Sequence, residues 1–265
     1  SRETEAVCRE CGQDTAWLDL TGVDKEVLSE RLGDLTEFCR EFLHRDPGRE
    51  PIPVYPGIHY FMGGLYVDAA HRTTLRGLYA AGECACQYHG ANRLGAIFGG
   101  YTAAQTILRD IPLPEMCAAE AEKAAEDWCA LCGAVAARRE IVSCAAAEAE
   151  LSRILNGCLG IRRQEVSLHA GAAALAELTA RVRAGWDREA GAARQYALEA
   201  QLSLAAAMVE SALARKESRG AHFRTDFPRR DDARYQKTTV ARWKGGSAEI
   251  TFEPIAKEAQ PCAII

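Results

Sequence analysis

The sequence has no excess of positive charge and no long run of apolar residues. Its formal net charge is −5 at pH 7, and the sequence contains no cluster of basic residues. This charge distribution argues against nucleic acid as a partner. No span of 18 apolar residues is apparent, and the N-terminal SRETEAVCRECG does not resemble a signal peptide. These absences predict that any association with a membrane comes only through a partner.

A dense disulfide framework is also missing, although the chain contains 11 cysteines. Their scattered positions are not those of a small secreted domain, which favours reduced thiols and a cytoplasmic location. Two Cys-x-x-Cys pairs, Cys8/Cys11 and Cys129/Cys132, could together offer four thiolates to a metal ion. The pairs are far apart in the sequence and we interpret them as incidental thiols, so no metal site is predicted.

Helical periodicity dominates the chain on either side of its centre. Between Lys25 and Leu43 we expect Gly33 to separate two helices, the second opened by a capping box of Asp34 and Glu37. Past Pro114 the sequence is rich in alanine and glutamate, which are strong helix formers. Two apolar stripes there predict a helical bundle, and they consist of Leu168, Leu175, Leu178 and Val182, then Leu198, Leu202, Ala205, Val209 and Leu213.

Strand patterns are short. Residues 17–20 are consistent with one strand. Residues 238–242 and 248–252 alternate with a period of two around Gly245-Gly246, which predicts a C-terminal β-hairpin.

The centre of the chain, from His59 to Gly100, holds eight glycines and three histidines. Residues 65–67 and 78–80 are predicted as strands, and residues 101–108 as a helix entered from Gly99 and Gly100. The second strand runs out into Gly82-Glu83, and α/β sheets commonly present ligand-binding groups at such a position. A glycine-rich stretch that also contains His, Glu and Arg predicts a functional site rather than a linker.

This central stretch contains three motifs: HYFMGG at 59–64, GLYAAGE at 77–83 and HGANRLG at 89–95. In this order and spacing they resemble the flavoprotein subunit family of succinate dehydrogenase and fumarate reductase. Further similarity lies upstream in residues 50–54 and downstream in ESRGAHFRTDFP at 217–228. The resemblance implies a flavin-dependent oxidoreductase with FAD as cofactor, interconverting fumarate and succinate or a related unsaturated acid.

The chain also departs from the family pattern. Such flavoproteins begin with a strand, a Gly-x-Gly-x-x-Gly turn and a helix whose N-terminus binds the FAD pyrophosphate. No glycine triplet follows a strand before His59. The resemblance therefore implies that the N-terminal FAD-binding half is absent and that FAD binding requires it. The family's proton-donating arginine should precede Ser1, so no catalytic residue is assigned.

The expected fold is an α+β multidomain architecture. Residues 1–50 would be the C-terminal part of a capping domain, and residues 51–112 the returning segment of an α/β FAD-binding domain with the substrate-site motifs. Residues 113–228 would form a helical domain, and residues 229–265 a small β-hairpin region.

By the resemblance, His59 and Arg93 correspond to residues that bind the substrate carboxylates. Arginine suits this role because its guanidinium can hold a carboxylate bidentately. His89 opens the HGANRLG motif, and its implied role is packing beside the site.

The implied cofactor-binding residues are Glu83, Met62, Gly63 and Gly64. Glu83 corresponds to the acidic residue that accepts hydrogen bonds from the flavin ribityl hydroxyls. The Met62-Gly63-Gly64 backbone would lie against the isoalloxazine, where any Cβ would collide.

Two other functions remain open beside the oxidoreductase fragment or split subunit. One is an L-aspartate oxidase-like flavoprotein, which shares the HGANRL segment. The other is a non-catalytic, truncated remnant that needs a partner chain. The implied partners are a dicarboxylate substrate, an N-terminal flavoprotein half and an iron-sulfur subunit. The location would be cytoplasmic, or peripheral on the inner face of the membrane through those partners.

A second polar cluster follows the bundle. We interpret it as a structural ion-pair network tying the bundle to the hairpin, with a docking edge for an electron-transfer partner as the alternative. It consists of Arg219, His222, Arg224, Arg229, Arg230, Asp231 and Asp232.

Overall fold

The computed structural model describes residues 16–55, 59–87, 93–110, 118–244 and 246–255, with the Arg93 side chain left out. It divides into two compact units, one up to Phe61 and one from Met62 onward. Cys8, Cys11, His89 and Gly245 were part of the sequence predictions and lie outside the described residues. The architecture mixes helices with small sheets, as the predicted α+β class requires.

The first unit contains a two-stranded antiparallel sheet and two helices. Strands β1 (Ala16–Leu18) and β2 (Ile52–Val54) pair, and helices α1 (Lys25–Arg31) and α2 (Gly33–Phe42) lie between them in the sequence. The predicted break at Gly33 is confirmed. The predicted capping box is wrong, because α2 starts at Gly33 with Leu32 as its N-cap and no side-chain capping bond. Asp34 therefore lies inside the first turn, past the capping position.

The second unit begins with a segment of loops, a 3-10 turn at Gly82–Cys84, and helix α3 (Arg93–Asp110). The predicted strands at 65–67 and 78–80 are wrong as strands. They contribute isolated bridges, a parallel one from Leu65 to Ala85 and an antiparallel one from Arg72 to Tyr79. Neither bridge extends into a ladder among the described residues. Helix α3 also starts well before the predicted position 101, so Gly95, Gly99 and Gly100 are helical despite a propensity cost of about 1 kcal/mol each.

Four long helices follow and form the bundle. They are α4 (Ala118–Ala136), α5 (Cys144–Cys158), α6 (Glu165–Ala184) and α7 (Gly191–Ala214), with the short parallel strands β3 (Glu140–Ile141) and β4 (Gly185–Trp186) between them. Both predicted apolar stripes face the core: every member is buried except Leu213, which is partly buried. This confirms the predicted bundle.

Helix α7 is the longest element and the centre of the bundle. Within the described part of the chain, α7 alone passes as a membrane span by length and composition, with a mean hydropathy of 1.2 in its best window. Helix α7 is not an uninterrupted apolar run, because it contains Arg194, Glu199 and Glu210. Its face of Leu198, Leu202 and Val209 is buried against the other helices, and a core helix of this kind has the same composition as a span.

The chain then passes through helix α8 (Asp232–Tyr235) into a hairpin of strands β5 (Lys237–Lys244) and β6 (Ser247–Pro254). The register pairs Lys244 with Ser247 at the turn and Lys237 with Pro254 at the base. The predicted hairpin is confirmed and is longer than the alternating residues alone indicated. Helix α7 packs on this hairpin, mainly through β6.

Candidate functional site

The Gly63-Gly64 loop lies against the 3-10 turn that carries Glu83. The Leu65 amide donates to the Cys84 carbonyl at 2.7 Å, and the Cys86 amide donates to the Leu65 carbonyl at 3.0 Å. A Cβ on Gly64 would lie 2.4 Å from the Cys84 carbonyl oxygen. Only glycine therefore permits this approach, and the reason lies within the protein backbone.

Gly63 differs from its neighbour. Its φ of +108° lies in the region that favours glycine, but no non-neighbouring heavy atom of the described residues lies within 4 Å of the position a Cβ would take. Gly63 and Met62 are both exposed. The loop thus presents an open stretch of backbone that a flat group could approach.

The Glu83 turn packs against the first part of helix α3. Gly82 has a φ of +79°, and a Cβ there would lie 3.4 Å from the Cβ of Ala96. Glu83 itself is exposed on this turn. Arg93 is the first residue of α3, one turn before Ala96. The structure therefore brings together the Gly64 backbone, the Glu83 turn and the first part of α3, with Met62 and Gly63 next to Gly64 in the sequence.

His59 belongs to the first unit, where it is exposed in an irregular segment. Glu83 and Arg93 belong to the second unit. The pairing of His59 with Arg93 on one substrate stays a prediction.

Residue His71 supports the chain that leads into the Glu83 turn. It is 1% exposed, has a φ of +64°, and its Nδ1 lies 2.8 Å from the Ala80 carbonyl oxygen. The Ala80 amide donates back to the His71 carbonyl at 3.2 Å. His71 thus fixes the residue two positions before Gly82. Sequence reasoning missed it, because a buried histidine in a polar loop has no distinctive local pattern.

The C-terminal end of α3 is held by the loop that contains His71. Asp110 accepts two hydrogen bonds from Arg72, at 2.7 Å each, and one from the Tyr79 hydroxyl at 2.9 Å. The Arg72 and Tyr79 hydrogen bonds lower the pKa of Asp110 to about 2. The pKa of Tyr79 is raised, chiefly by its hydrogen bond to this carboxylate. Arg72 and Asp110 are 38 positions apart, a separation with no sequence signal.

The second polar cluster is centred on Glu217, whose side chain is fully buried. It accepts hydrogen bonds from Arg215 at 2.5 Å, Arg219 at 2.7 Å and the Asp231 amide at 2.9 Å. Burial raises the pKa of Glu217, but the hydrogen bonds from Arg219, Asp231 and Arg215 outweigh it and leave a lowered pKa. Arg219 also binds Asp232 at 2.6 Å.

Arg215, missed in the sequence, connects this cluster to the hairpin. It donates to the Lys237 carbonyl at 2.6 Å and to the Thr239 hydroxyl at 2.8 Å. Because Arg215 directly follows α7, its hydrogen bonds link the bundle to the hairpin. The predicted cluster does form ion pairs among Arg219, Arg230 and Asp232, but the link to β5 comes from Arg215, which the prediction did not include. The alternative of a docking edge stays a prediction.

His222 lies among arginines in the same region. Its Nδ1 accepts from Arg163 at 3.1 Å, so its Nε2–H donates to the Arg215 carbonyl at 3.0 Å. Burial, together with the positive charges of Arg163, Arg224 and Arg215, lowers the pKa of His222 to about 4. His222 is therefore neutral near pH 7 and serves as a packing and hydrogen-bonding group.

In the described ranges no group of three or more His, Cys, Asp or Glu side chains is placed to hold a metal ion. Cys129 and Cys132 are free thiols on α4.

Two family models match the chain. The fumarate reductase flavoprotein C-terminal model covers residues 148–263, and an FAD-binding domain model covers residues 2–98. The second match corrects the expectation that the N-terminal FAD-binding half is absent. The chain matches part of an FAD-binding domain although it shows no Gly-x-Gly-x-x-Gly turn before His59.

Known proteins match along most of the chain. The fumarate reductase flavoprotein subunit of Haemophilus influenzae is 31% identical over 92% of this chain and 43% of its own length. The succinate dehydrogenase flavoprotein subunit of Bacillus subtilis is 30% identical over 87% of this chain and 42% of its length. A solved quinol fumarate reductase of E. coli has a TM-score of 0.82 at 28% identity, covering 97% of this chain and 48% of that one.

The chain thus spans less than half the length of these relatives. An L-aspartate oxidase of Rhodospirillum rubrum also matches, at 32% identity, over 74% of this chain and 65% of its own length. This match is shorter than those to the fumarate reductase and succinate dehydrogenase subunits, so the L-aspartate oxidase alternative is less supported. Along most of its length, the chain is similar to the flavoprotein subunits of fumarate reductase and succinate dehydrogenase.

Proposed function

We propose that this chain supplies the dicarboxylate-binding and part of the flavin-binding machinery of an FAD-dependent oxidoreductase that interconverts fumarate and succinate, or acts on a related unsaturated acid. One observation carries the proposal. The Gly63-Gly64 loop, the Glu83 turn and the start of α3 pack together, joined by the Leu65–Cys84 hydrogen bond and the Gly82–Ala96 approach. Residues of the HYFMGG and GLYAAGE motifs thereby lie beside the helix that begins at Arg93 of the third motif.

The described residues fit FAD. Gly63 leaves open space on the side where a side chain would project, and the exposed Glu83 carboxylate offers acceptor oxygens for ribityl hydroxyls. When bound, FAD supplies the two-electron redox chemistry. The residues of this chain orient it: Met62, Gly63 and Gly64 through backbone, Glu83 through its carboxylate.

Substrate binding falls to His59 and Arg93. A dicarboxylate needs a fixed donor or cation at each end, and the planar guanidinium of Arg93 provides a bidentate partner for one carboxylate. Arg93 stands at the N-terminus of α3, where the helix dipole adds to the attraction for an anion. His59 would bind the other carboxylate as a hydrogen-bond donor.

We propose partner subunits for this chain because some of its relatives belong to multi-subunit complexes. The remaining length of the flavoprotein, an iron-sulfur subunit and membrane attachment through partners on the cytoplasmic face are part of the same proposal. Large apolar side chains on α3 support burial by further protein, since Leu94, Ile97, Phe98 and Tyr101 are all more than half exposed. The docking role of the Arg219–Asp232 region belongs to this proposal as well.

The test replaces Arg93 in the flavin-loaded protein that contains this chain. Arg93→Lys keeps the charge but loses the bidentate grip, so kcat/KM for fumarate reduction should fall about 100-fold or more. Arg109→Lys is the matched control, because Arg109 is exposed near the other end of the same helix.

Each outcome bears on one function. Fumarate reduction by Arg93→Lys within twofold of the unchanged protein would exclude Arg93 from substrate binding. Flavin-dependent oxidation of L-aspartate in place of fumarate reduction would establish the oxidase. A protein containing this chain that takes up no flavin, and therefore shows neither activity, would instead support the non-catalytic remnant.

A further inference from the structure

Asp110 is an unusual residue for the position it holds. It ends helix α3, where the helix dipole presents its negative pole and disfavours a carboxylate. Two hydrogen bonds from Arg72 and one from Tyr79 offset this cost. The bidentate geometry with Arg72 fixes direction as well as distance, because two parallel N–H groups must face two oxygens. The end of α3 is therefore attached to its loop in one orientation.

The loop that holds Asp110 is itself ordered by local hydrogen bonds. Arg72 and Tyr79 face each other in a β-bridge, with the Thr73 amide donating to the Leu78 carbonyl at 3.0 Å. Asp68 braces the turn by accepting from the Ala70 and Arg72 amides, both at 2.9 Å. Arg72 is thus presented from a rigid support rather than from a free loop.

The same loop continues into the contact at the other end of the helix. Tyr79 and Ala80, the latter held by His71, lead directly to Gly82, which packs against Ala96 in α3. Helix α3 is consequently held near both ends by one short segment, at Ala96 and at Asp110. A rigid helix held at two points keeps its axial position and its rotation.

We infer that Asp110 is a positioning residue for Arg93, acting through helix α3 by way of Arg72 and Tyr79. Asp110 touches neither substrate nor flavin in this scheme: 17 helical steps of 1.5 Å put it about 25 Å from Arg93 along the axis. Loss of the attachment lets the helix shift or rotate, and a misplacement of about 1 Å at a reacting site can cost about 100-fold. The inference rests on the proposed role of Arg93 as a carboxylate ligand.

The test measures dicarboxylate affinity in the flavin-loaded protein, using malonate as a non-reacting probe and flavin absorbance as the signal. Asp110→Asn removes the charge, and Arg72→Lys keeps the charge but removes the bidentate geometry. Each should raise the Kd for malonate about tenfold, or about 1.4 kcal/mol, with flavin content unchanged. Tyr79→Phe should raise the Kd for malonate by less than tenfold. Glu148→Gln is the control, since Glu148 accepts hydrogen bonds from two nitrogens of Arg194 in the bundle, and this variant should leave Kd unchanged.

A double variant separates positioning from general stability. If Asp110 acts through Arg93, Asp110→Asn should add little to the Kd of an Arg93→Lys protein. An equal loss in both backgrounds would overturn the inference, and so would a Kd within twofold of the unchanged protein for both Asp110→Asn and Arg72→Lys. If Asp110→Asn fails to fold, Arg72→Lys and Tyr79→Phe decide the question. Failure of the proposed function looks different, because Arg93→Lys alone would then leave Kd unchanged.

Discussion

The Cys84 carbonyl oxygen lies where a side chain on Gly64 would have to go. The distance from that oxygen to an added Cβ would be 2.4 Å, and Gly64 has a φ of +138°. The sequence suggested that glycine is needed here to admit the flavin ring. The structure gives a nearer reason for Gly64, the backbone contact with the Glu83 turn, and leaves the open approach to Gly63.

Gly64→Ala should therefore disrupt the candidate site. The added methyl collides with backbone and the residue keeps an unfavourable φ, so we expect a loss of about 2–4 kcal/mol in the free energy of unfolding. Flavin content after purification should fall with it. Gly100→Ala in α3 is the control, with nothing within 4 Å of the new Cβ among the described residues, and should stabilise by about 0.5–1 kcal/mol. Full flavin content in Gly64→Ala would show that the contact is dispensable.

His59→Gln separates substrate binding from proton donation. Glutamine retains a hydrogen-bond donor of similar reach but cannot carry a positive charge. We expect KM for fumarate to rise about tenfold while kcat stays within about threefold, measured in the flavin-loaded protein. A fall in kcat of about three orders of magnitude with unchanged KM would instead place His59 in the chemical step.

Helices α5 and α6 meet at Gly171, which is buried against Cys158. A Cβ on Gly171 would lie 2.5 Å from the Cys158 Sγ. Gly171→Ala should overpack the contact and cost about 1–3 kcal/mol in urea unfolding. Gly157→Ala, on the same helix as Cys158 but in open space among the described residues, should not destabilise. Adding Cys158→Gly to Gly171→Ala should recover part of the loss, and additive losses would contradict the packing argument.

His222 predicts a pH dependence of stability. Its pKa in the folded chain is about 4, below the ordinary value of 6.5, so the unfolded chain binds a proton first as pH falls. The contribution of neutral His222 to the free energy of unfolding is complete above pH 6.5 and is lost as pH falls toward 4. Each unit of difference between the folded and unfolded pKa corresponds to about 1.4 kcal/mol.

Urea unfolding between pH 7 and pH 4 measures this slope, and His222→Gln should flatten it. An equally steep slope in His222→Gln would assign the effect to other groups. Asp226 should affect stability at lower pH than His222 does. Its hydrogen bonds with Arg224 lower its pKa to about 2, so its contribution is present above about pH 4 and lost as pH falls toward 2.

The sequence by itself determined the elements that depend on local pattern. The stripe from Leu198 to Val209 specifies which side of α7 is buried, because a helix with one apolar face must cover it. The break at Gly33 and the hairpin around Gly246 follow from turn and propensity rules. The motifs around Gly63, Glu83 and Arg93 indicated the resemblance to the flavoprotein subunits because each motif is contiguous and their order along the chain can be read directly.

Only the tertiary structure decided what joins distant residues. Arg72 and Asp110, or Arg215 and the β5 backbone, bind across separations that no periodicity encodes. The wrong predictions have the same origin. Residues 65–67 and 78–80 have strand-like composition, yet a strand exists only where a neighbour offers a continuous row of hydrogen-bonding groups. Helix α3 runs through Gly95, Gly99 and Gly100 because packing at Gly82 and the Asp110 attachment outweigh weak local propensity.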